Sequence, residues 1–510
     1  MKHFAFIIIA LLFTAFLNAQ DPLKEADAFF DEGNFQTALQ YYKKAYKKDS
    51  TNLELRHNMA ICMLSQNMDR KPAIPHLEWV VKQEKFDEYA WFDLAKAYHF
   101  NLQFDKAIKN YKKYIKVGKD DEFIKIAKVS IKQCENAKEL IAKPIDVTFN
   151  LLNEEINTEN NEYQPYIPSD ESTLVYTSDE KYDSRYKIHI NNIFISENEN
   201  GEWDRPKTVG VVNSQEDEFV SGLAANDKYL FVKVRRYEAF DDIFVAEKDG
   251  DRISRLEDLG EPVNTGAVES GATLSFTGDT LIFASDRDGG EGGLDLWMAM
   301  RLPNGRWGKP VNLGKPVNTP YDEDFPHLMA DGKTMFFSSN GPNSMGGFDV
   351  FKTTLNADAG KWAAPRNFGY PVNNTYDNLT IAMSRNYRYA YVSDVRKEGK
   401  GGMDIYRVVF NQTDANIFLH KGTFVSANDS IIDLPVKDKP EIKVLNKESG
   451  ELFGKYQYNN SKQQFLLALP PGSYQLQAEF NGYKPAKRDI FVPDLLEQKV
   501  YDLKIQLEAE

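Results

Sequence analysis

The 510-residue sequence predicts a multidomain α + β protein: an N-terminal helical solenoid, a five-bladed β-propeller (six blades being the alternative) and a C-terminal β-sandwich. Three observations predict it. Small and aromatic residues recur with a helical period of 34–35 residues in the first quarter of the chain. A second set of markers recurs every 51–56 residues through the middle. The last stretch alternates strand-like runs with Pro-Gly and Asn-Gly turns.

Composition fits this reading and narrows the function. Hydrophobic residues make up 42% and charged residues 27%, which is ordinary for globular domains. The net charge of −14 argues against a nucleic-acid binder that works by neutralising phosphates. Asp21–Lys143 holds 22 Lys+Arg against 19 Asp+Glu, whereas Pro144 to the end holds 39 against 57, so the acidity belongs to the β-rich part. Two cysteines, Cys62 and Cys134, exclude a disulfide framework and a multi-cysteine metal site; both fall among apolar helical neighbours and read as buried thiols sooner than as a bridge.

The chain opens with Lys2 and His3, an apolar run Phe4–Leu17 and the small-residue end Leu17-Asn18-Ala19, the pattern of a secretory signal over residues 1–19. The run is too short for a bilayer span, and no cysteine follows it for a lipoprotein anchor, so an exported, soluble mature protein is expected.

Residues 20–143 form the helical domain. Ala26, Phe35, Ala38, Tyr42 and Ala45 are echoed by Ala95, Phe104, Ala107, Tyr111 and Tyr114, with Ala60 in register between them. Small residues at this period let paired helices approach while aromatics fill the gaps, and Phe123–Ile141 closes the array as a capping helix. Residues 144–411 form the propeller. An Asn marker recurs at Asn157, Asn213, Asn264, Asn318 and Asn373. Asp242, Asp295, Asp349 and Asp404 keep the same beat, and Trp203, Trp307 and Trp362 provide a third marker. Each unit has room for four strands. The last stops after its third, so the strand "IDVTFNLL" ahead of the first marker is expected to complete it and close the ring. Residues 412–510 form the sandwich.

These units resemble known families. The stretches "FASDRDGGEGGLDLW" and "FSSNGPNSMGGFDVF" look like TolB-type propeller repeats, and the first domain resembles the tetratricopeptide repeat. The tail, with Leu469-Pro470-Pro471-Gly472-Ser473-Tyr474 and Asn481-Gly482-Tyr483, resembles carboxypeptidase-regulatory-like domains. The order of the three resembles PorE-like, OmpA-family envelope proteins of Bacteroidota, some of which serve type IX secretion and gliding. The resemblance implies a periplasmic protein associated with the outer membrane, with envelope or secretion-machinery proteins as partners. The family's OmpA-type domain and lipidated cysteine have no counterpart here, so direct peptidoglycan binding is not expected.

No hydrolase elbow, zincin, phosphate-loop or Cys-x-x-Cys motif occurs, and the histidines have no metal-ligand spacing. No cofactor, metal or enzymatic activity is expected. Acidic residues do recur before the first strand of each unit: Glu216, Asp217 and Glu218; Glu269; Asp322, Glu323 and Asp324; Asp377. First strands line a propeller's channel, so these could ring its mouth and bind a cation or basic peptide, or supply a glycosidase's carboxylate pair. Alternatively they cap the turns that enter the strands. The function expected is therefore a non-enzymatic envelope scaffold, with a glycan-binding protein or propeller glycoside hydrolase as the alternative.

Overall fold

A computed structural model describes residues 21–509 apart from 169–170, 185–187, 200–201, 225, 236–240, 250–251, 357–358, 385–386, 413–417, 433–440 and 493–499. The signal expected over residues 1–19 lies outside the described residues. No described helix is long and apolar enough to cross a membrane. The chain divides into two compact units.

Among its described residues the first unit contains seven helices, α1 (Pro22–Asp31), α2 (Phe35–Lys48), α3 (Leu53–Leu64), α4 (Ala73–Val80), α5 (Tyr89–Phe100), α6 (Phe104–Val117) and α7 (Asp121–Ile141). Their starts are written locally. Asn34 accepts from Thr37 N at 3.1 Å, Asn52 from Leu55 N at 3.0 Å and Asp120 from Glu122 N at 2.9 Å, each filling the orphan donors of a first turn. The periodic alanines Ala26, Ala38, Ala60, Ala95 and Ala107 are buried, as are Tyr42, Tyr111 and Tyr114 between the helices. Tyr42 spends its hydroxyl on Asp27 at 2.7 Å. Cys62 and Cys134 are separate buried thiols, and burial pushes the Cys62 thiol up to about 12, so neither is a ready nucleophile. Segment Pro342–Gly346 also belongs to this unit. His99 Nε2 lies 2.7 Å from Met345 O, and Gln133 donates to Ser344 Oγ at 2.9 Å.

The second unit holds the propeller and the C-terminal sheet. Blade 1 is built from Glu162–Tyr166, Thr173–Asp183, Ile188–Glu199 and Glu202–Trp203. Blade 2 runs through Asp217–Leu223, Tyr229–Arg235, Asp242–Asp249 and Arg252–Ile253. Blade 3 runs through Glu269–Leu274, Thr280–Ser285, Asp295–Met300 and Val311–Asn312. Blade 4 runs through Glu323–Leu328, Thr334–Ser339, Asp349–Asn356 and Lys361–Trp362. Blade 5 comprises Ala382–Met383, Tyr389–Asp394 and Asp404–Phe410, with Val147–Leu151 as its outer strand. Val147 pairs with Phe410 and Leu151 with Tyr406, antiparallel, so the ring closes with the donated strand the sequence predicts, and the blade number is five.

What joins one blade to the next is a side chain. Each marker asparagine sits in the loop entering a blade and pairs with both backbone groups of one residue in the third strand of the blade before it. Asn213 accepts from Ile193 N and donates to Ile193 O, both at 2.8 Å. Asn264 does this to Ile243 (3.1 and 2.8 Å), Asn318 to Leu296 (2.9 and 2.9 Å) and Asn373 to Val350 (2.8 and 2.8 Å). Asn157 does the same to Ile405 (2.8 and 3.0 Å), fastening the start of the ring to its end across 248 residues of sequence. A carboxamide offers both a donor and an acceptor, so it stands in for a missing strand neighbour.

Among the described residues the C-terminal strands pair into a nearly closed, barrel-like sheet of seven. Its spatial order is Ala486–Val492, Gly472–Ala478, Glu441–Asn446, Leu452–Asn459, Gln464–Leu469, Phe418–Val425, Val500–Gln506. It curls around Phe424, Ile442, Phe465, Leu467 and Leu476 into a nearly closed barrel, in which the outer strands are brought near by a bridge from Tyr483 to Ala509. Lys447 ties it to blade 1 through Glu202 at 3.0 Å.

Asn318→Ala leaves the buried N–H of Leu296 without a partner, while its C=O keeps the bond from Leu313 N at 3.0 Å, and is expected to destabilise the propeller by about 1–3 kcal/mol. Exposed Asn304→Ala, which loses one turn bond at 3.0 Å, is expected to cost no more than about 0.5 kcal/mol. Urea unfolding midpoints of the two variants check this.

Candidate functional site

The acidic residues of the inner strands fall into two rows and one exception. In the first row a buried glutamate turns back on the loop four residues before it. Glu269 accepts from Thr265 N and Thr265 Oγ1, each at 2.9 Å, and Glu323 from Thr319 N and Oγ1 at 2.8 and 2.6 Å. Glu218 is held the same way by Ser214 N at 3.1 Å and by the Ser214 hydroxyl. Glu162 joins the row through Thr158, at 2.9 and 2.7 Å. Serines of the second strands add a bond from the other side, Ser285 to Glu269 and Ser339 to Glu323, both at 2.8 Å. Burial pushes the Glu323 carboxyl up to about 7. Glu269 instead has the guanidinium of Arg287 at 2.8 Å.

In the second row the aspartate just ahead of the strand reaches back to the previous blade. Asp217 accepts from Asn191 N at 2.8 Å, Asp322 from Leu294 N at 3.0 Å and Asp377 from Phe348 N at 3.0 Å. This explains the glycine pairs of the repeats. A Cβ on Gly293 would lie 2.1 Å from Asp322 Oδ1, and one on Gly347 would lie 1.9 Å from Asp377 Oδ1. Neither glycine has a positive φ, so each serves to admit the next blade's carboxylate instead of a left-handed turn. Glu216 donates its N–H to Ser214 Oγ at 3.0 Å and takes part in neither row.

Asp324 is the exception. It is buried where the inner strands of blades 3 and 4 touch, accepting from Ser270 Oγ at 2.8 Å and Gly271 N at 2.9 Å. Burial raises its carboxyl, and the ammonium of Lys233 works against that rise. Lys233 lies 3.7 Å from Asp241, as does Arg235, and both cations sit over the ring of Phe219, at 5.1 and 5.3 Å. Tyr163 stacks on Phe219 from blade 1. Two carboxylates, two cations and two rings thus converge at one end of the inner strands, with Arg235 half-exposed. Charge is balanced within the group, and because Phe219 and Asp324 are buried, what it presents outward is the half-exposed guanidinium of Arg235.

The axis itself is packed. The ring of Tyr166 lies 6.3 Å from that of His327 between blades 1 and 4, and burial lowers His327 to about 4, which keeps it neutral. A Cβ on Gly222 would meet Ala272 O at 1.7 Å, and one on Gly271 would meet the backbone of Phe325 at 2.6 Å.

Of the eight acids that the sequence analysis names, Asp324 alone joins the axial charge cluster. Its companions Lys233, Arg235, Asp241, Tyr163 and Phe219 were not singled out there. The signal was present in "YLFVKVRR", where two cations alternate with valines in a strand that should be apolar. A second concavity, of about 200 Å³, lies where blades 1 and 5 meet the C-terminal sheet, walled by Trp203, Tyr391, Phe491 and the ion pair of Arg407 with Glu171 at 3.1 Å. No group of three or more potential metal ligands occurs among the described residues.

The tetratricopeptide-repeat family model matches residues 29–71. No curated protein matches the chain. Among solved structures, TolB from Acinetobacter baumannii is similar at 12% identity over 56% of this chain and 71% of that one, with a TM-score of 0.33. A glycoside hydrolase is similar at 12% identity over 54% and 94% (TM-score 0.36), and an α-L-arabinofuranosidase from Lactobacillus brevis at 12% over 51% and 92% (TM-score 0.31). At these values none of them carries its activity across.

Gly347→Ala is expected to cost about 2–3 kcal/mol and Asp377→Ala about 1–2 kcal/mol, with the double variant losing clearly less than the sum because the clash is gone. A double-mutant cycle by urea unfolding measures the coupling, and strict additivity would place the Asp377 carboxylate elsewhere.

Proposed function

We propose that this chain is a non-enzymatic scaffold or adaptor of the cell envelope, exported to the periplasm and held at the outer membrane through envelope or secretion-machinery proteins, as in the PorE-like, OmpA-family proteins it resembles. One observation carries the reading. Glu323 spends its oxygens on Thr319 and Ser339, and Asp377 accepts from Phe348, which makes these recurrent acids parts of the frame, although Glu216 and Glu218 each keep one oxygen unpartnered. A catalytic carboxylate pair needs its oxygens directed at substrate. The repeat match at residues 29–71 adds a helical module of the kind that grips other polypeptides.

The contact surface of the propeller, on this reading, is centred on the half-exposed Arg235, with Phe219 buried beneath it. Crosslinking in intact cells followed by capture of the full chain is expected to recover outer-membrane or secretion proteins, and Arg235→Glu is expected to lower the recovery several-fold. Recovery of no envelope protein counts against the scaffold. Turnover of a polysaccharide by the purified chain, lost in Asp324→Asn, would establish the hydrolase instead.

A further inference from the structure

In blades 3, 4 and 5 the loop from the second strand to the third ends on an aspartate, Asp295, Asp349 or Asp404. The three loops read "DRDGGEGGL" (286–294), "NGPNSMGGF" (340–348) and "VRKEGKGGM" (395–403). Four residues ahead of the aspartate stand Glu291, Met345 and Lys400. Glu291 and Lys400 are exposed charges, paired with Lys315 at 3.3 Å and with Glu154 at 2.9 Å. The loop of blade 4 carries no charge at all, and its Met345 is fully buried together with Ser344. Blades 3 and 5 close the same loop with a glutamate and a lysine, so the blade itself does not call for a buried methionine.

The helical unit calls for it. Pro342–Gly346 belongs to that unit, where side chains of α5 and α7 hold its backbone. His99 Nε2 lies 2.7 Å from Met345 O, and Asn136 Nδ2 donates to Ser344 O at 3.1 Å and to Asn343 O at 2.5 Å. Gln133 Nε2 donates to Ser344 Oγ at 2.9 Å. A carbonyl can only accept, so the His99 proton sits on Nε2; burial lowers His99 to about 4, which keeps the ring neutral. Phe104 and Tyr111 hold that ring edge-on, with centroids at 5.8 and 6.2 Å. Gln133 and Asn136 are three residues apart and share one face of α7. Helices α5 and α7 flank α6 in the array, and alternate helices of such an array line one side of it.

Three consecutive carbonyls and one hydroxyl are therefore met by three side chains on two helices. Bonds to successive carbonyls hold any extended chain, and the pockets that take its side chains select among sequences. Here the selected side chains are a small hydroxyl and a methionine, both fully buried, while the Asn343 side of the segment is exposed. Gly341 precedes the segment and Gly346-Gly347 ends it, giving it a pliant residue at either end.

We propose that the helical unit carries a peptide-binding site for an extended segment in which a small hydroxyl residue is followed by methionine, that residues 342–346 fill it in cis, and that an outside polypeptide of that chemistry binds by displacing them. This deepens the adaptor reading and rests on it for the existence of an outside partner. A segment tethered within the same chain competes at an effective concentration on the order of millimolar, so an outside peptide binds more weakly by the fraction of sites already filled.

The test uses the purified full chain and a fluorescently labelled synthetic peptide of residues 341–347. Met345→Glu gives blade 4 the residue that blade 3 carries at this place and is expected to vacate the site, so that the peptide binds at least about tenfold more tightly than to the wild type. Adding Gln133→Ala and Asn136→Ala is expected to abolish the gain, and a peptide carrying Met345→Glu is expected to bind neither chain. A folded Met345→Glu chain that binds no more tightly than the wild type overturns the proposal, as does a gain that survives the loss of Gln133 and Asn136. Should Met345→Glu not fold, amide hydrogen exchange of the wild type decides. Faster exchange over residues 343–346 in excess peptide supports displacement, and unchanged exchange overturns it. Peptide binding by the purified chain is measured apart from crosslinking in cells, so this proposal and the envelope reading fail separately.

Discussion

The propeller depends on one carboxamide used five times. Blades of a propeller pack face to face and share no strand ladder, so hydrophobic contact alone leaves their mutual register loose. The asparagines supply that register. Each satisfies the N–H and C=O of one third-strand residue in the preceding blade, and four of the five are almost wholly buried. Asp in that place would lack the donor, and Gln would set the same groups one methylene farther out. The apolar seam clusters, such as Phe231, Ile243, Val263 and Leu281, pack around this fixed point.

The acids follow from the same constraint. Once a seam is fixed, the loop before each third strand runs past the entry of the next inner strand, and its N–H groups need acceptors. Asp217, Asp322 and Asp377 provide them, while the glutamates after Asp217 and Asp322 hold their own entry loops. Gly293 and Gly347 are then required by space, not by backbone angle. An acid repeated along the sequence therefore counts seams. Asp324, which belongs to neither row, lies instead beside Ser270 and under the influence of Lys233.

Much of this was legible because periodicity encodes packing directly. The alanine and aromatic spacing gives the helix pairs, five markers give five blades, and an unpaired strand ahead of the first marker has only the incomplete last blade to join. What escaped was of two kinds. The marker asparagines were legible as markers but not as clamps, because their partners lie 20 to 248 residues away and no local pattern names them. The axial cluster of Lys233, Arg235, Asp241 and Phe219 was hidden because strand alternation says which side a residue faces but not what meets it there. The curl of the C-terminal strands into one sheet escaped for the same reason: turns fix hairpins, whereas Phe418–Val425 pairs in parallel with Val500–Gln506 across a long stretch of chain.

The outer strand of blade 5 sets an order of events during synthesis. Val147–Leu151 leaves the ribosome before any blade exists, and its partner Asp404–Phe410 emerges some 250 residues later. The intervening blades pair mostly neighbouring segments and can condense one after another, but the circle has a contact order that no local step can shorten. Until the last blade is made, an early segment with strand-forming side chains waits unpaired, and that interval is when this chain is most exposed to association with copies of itself.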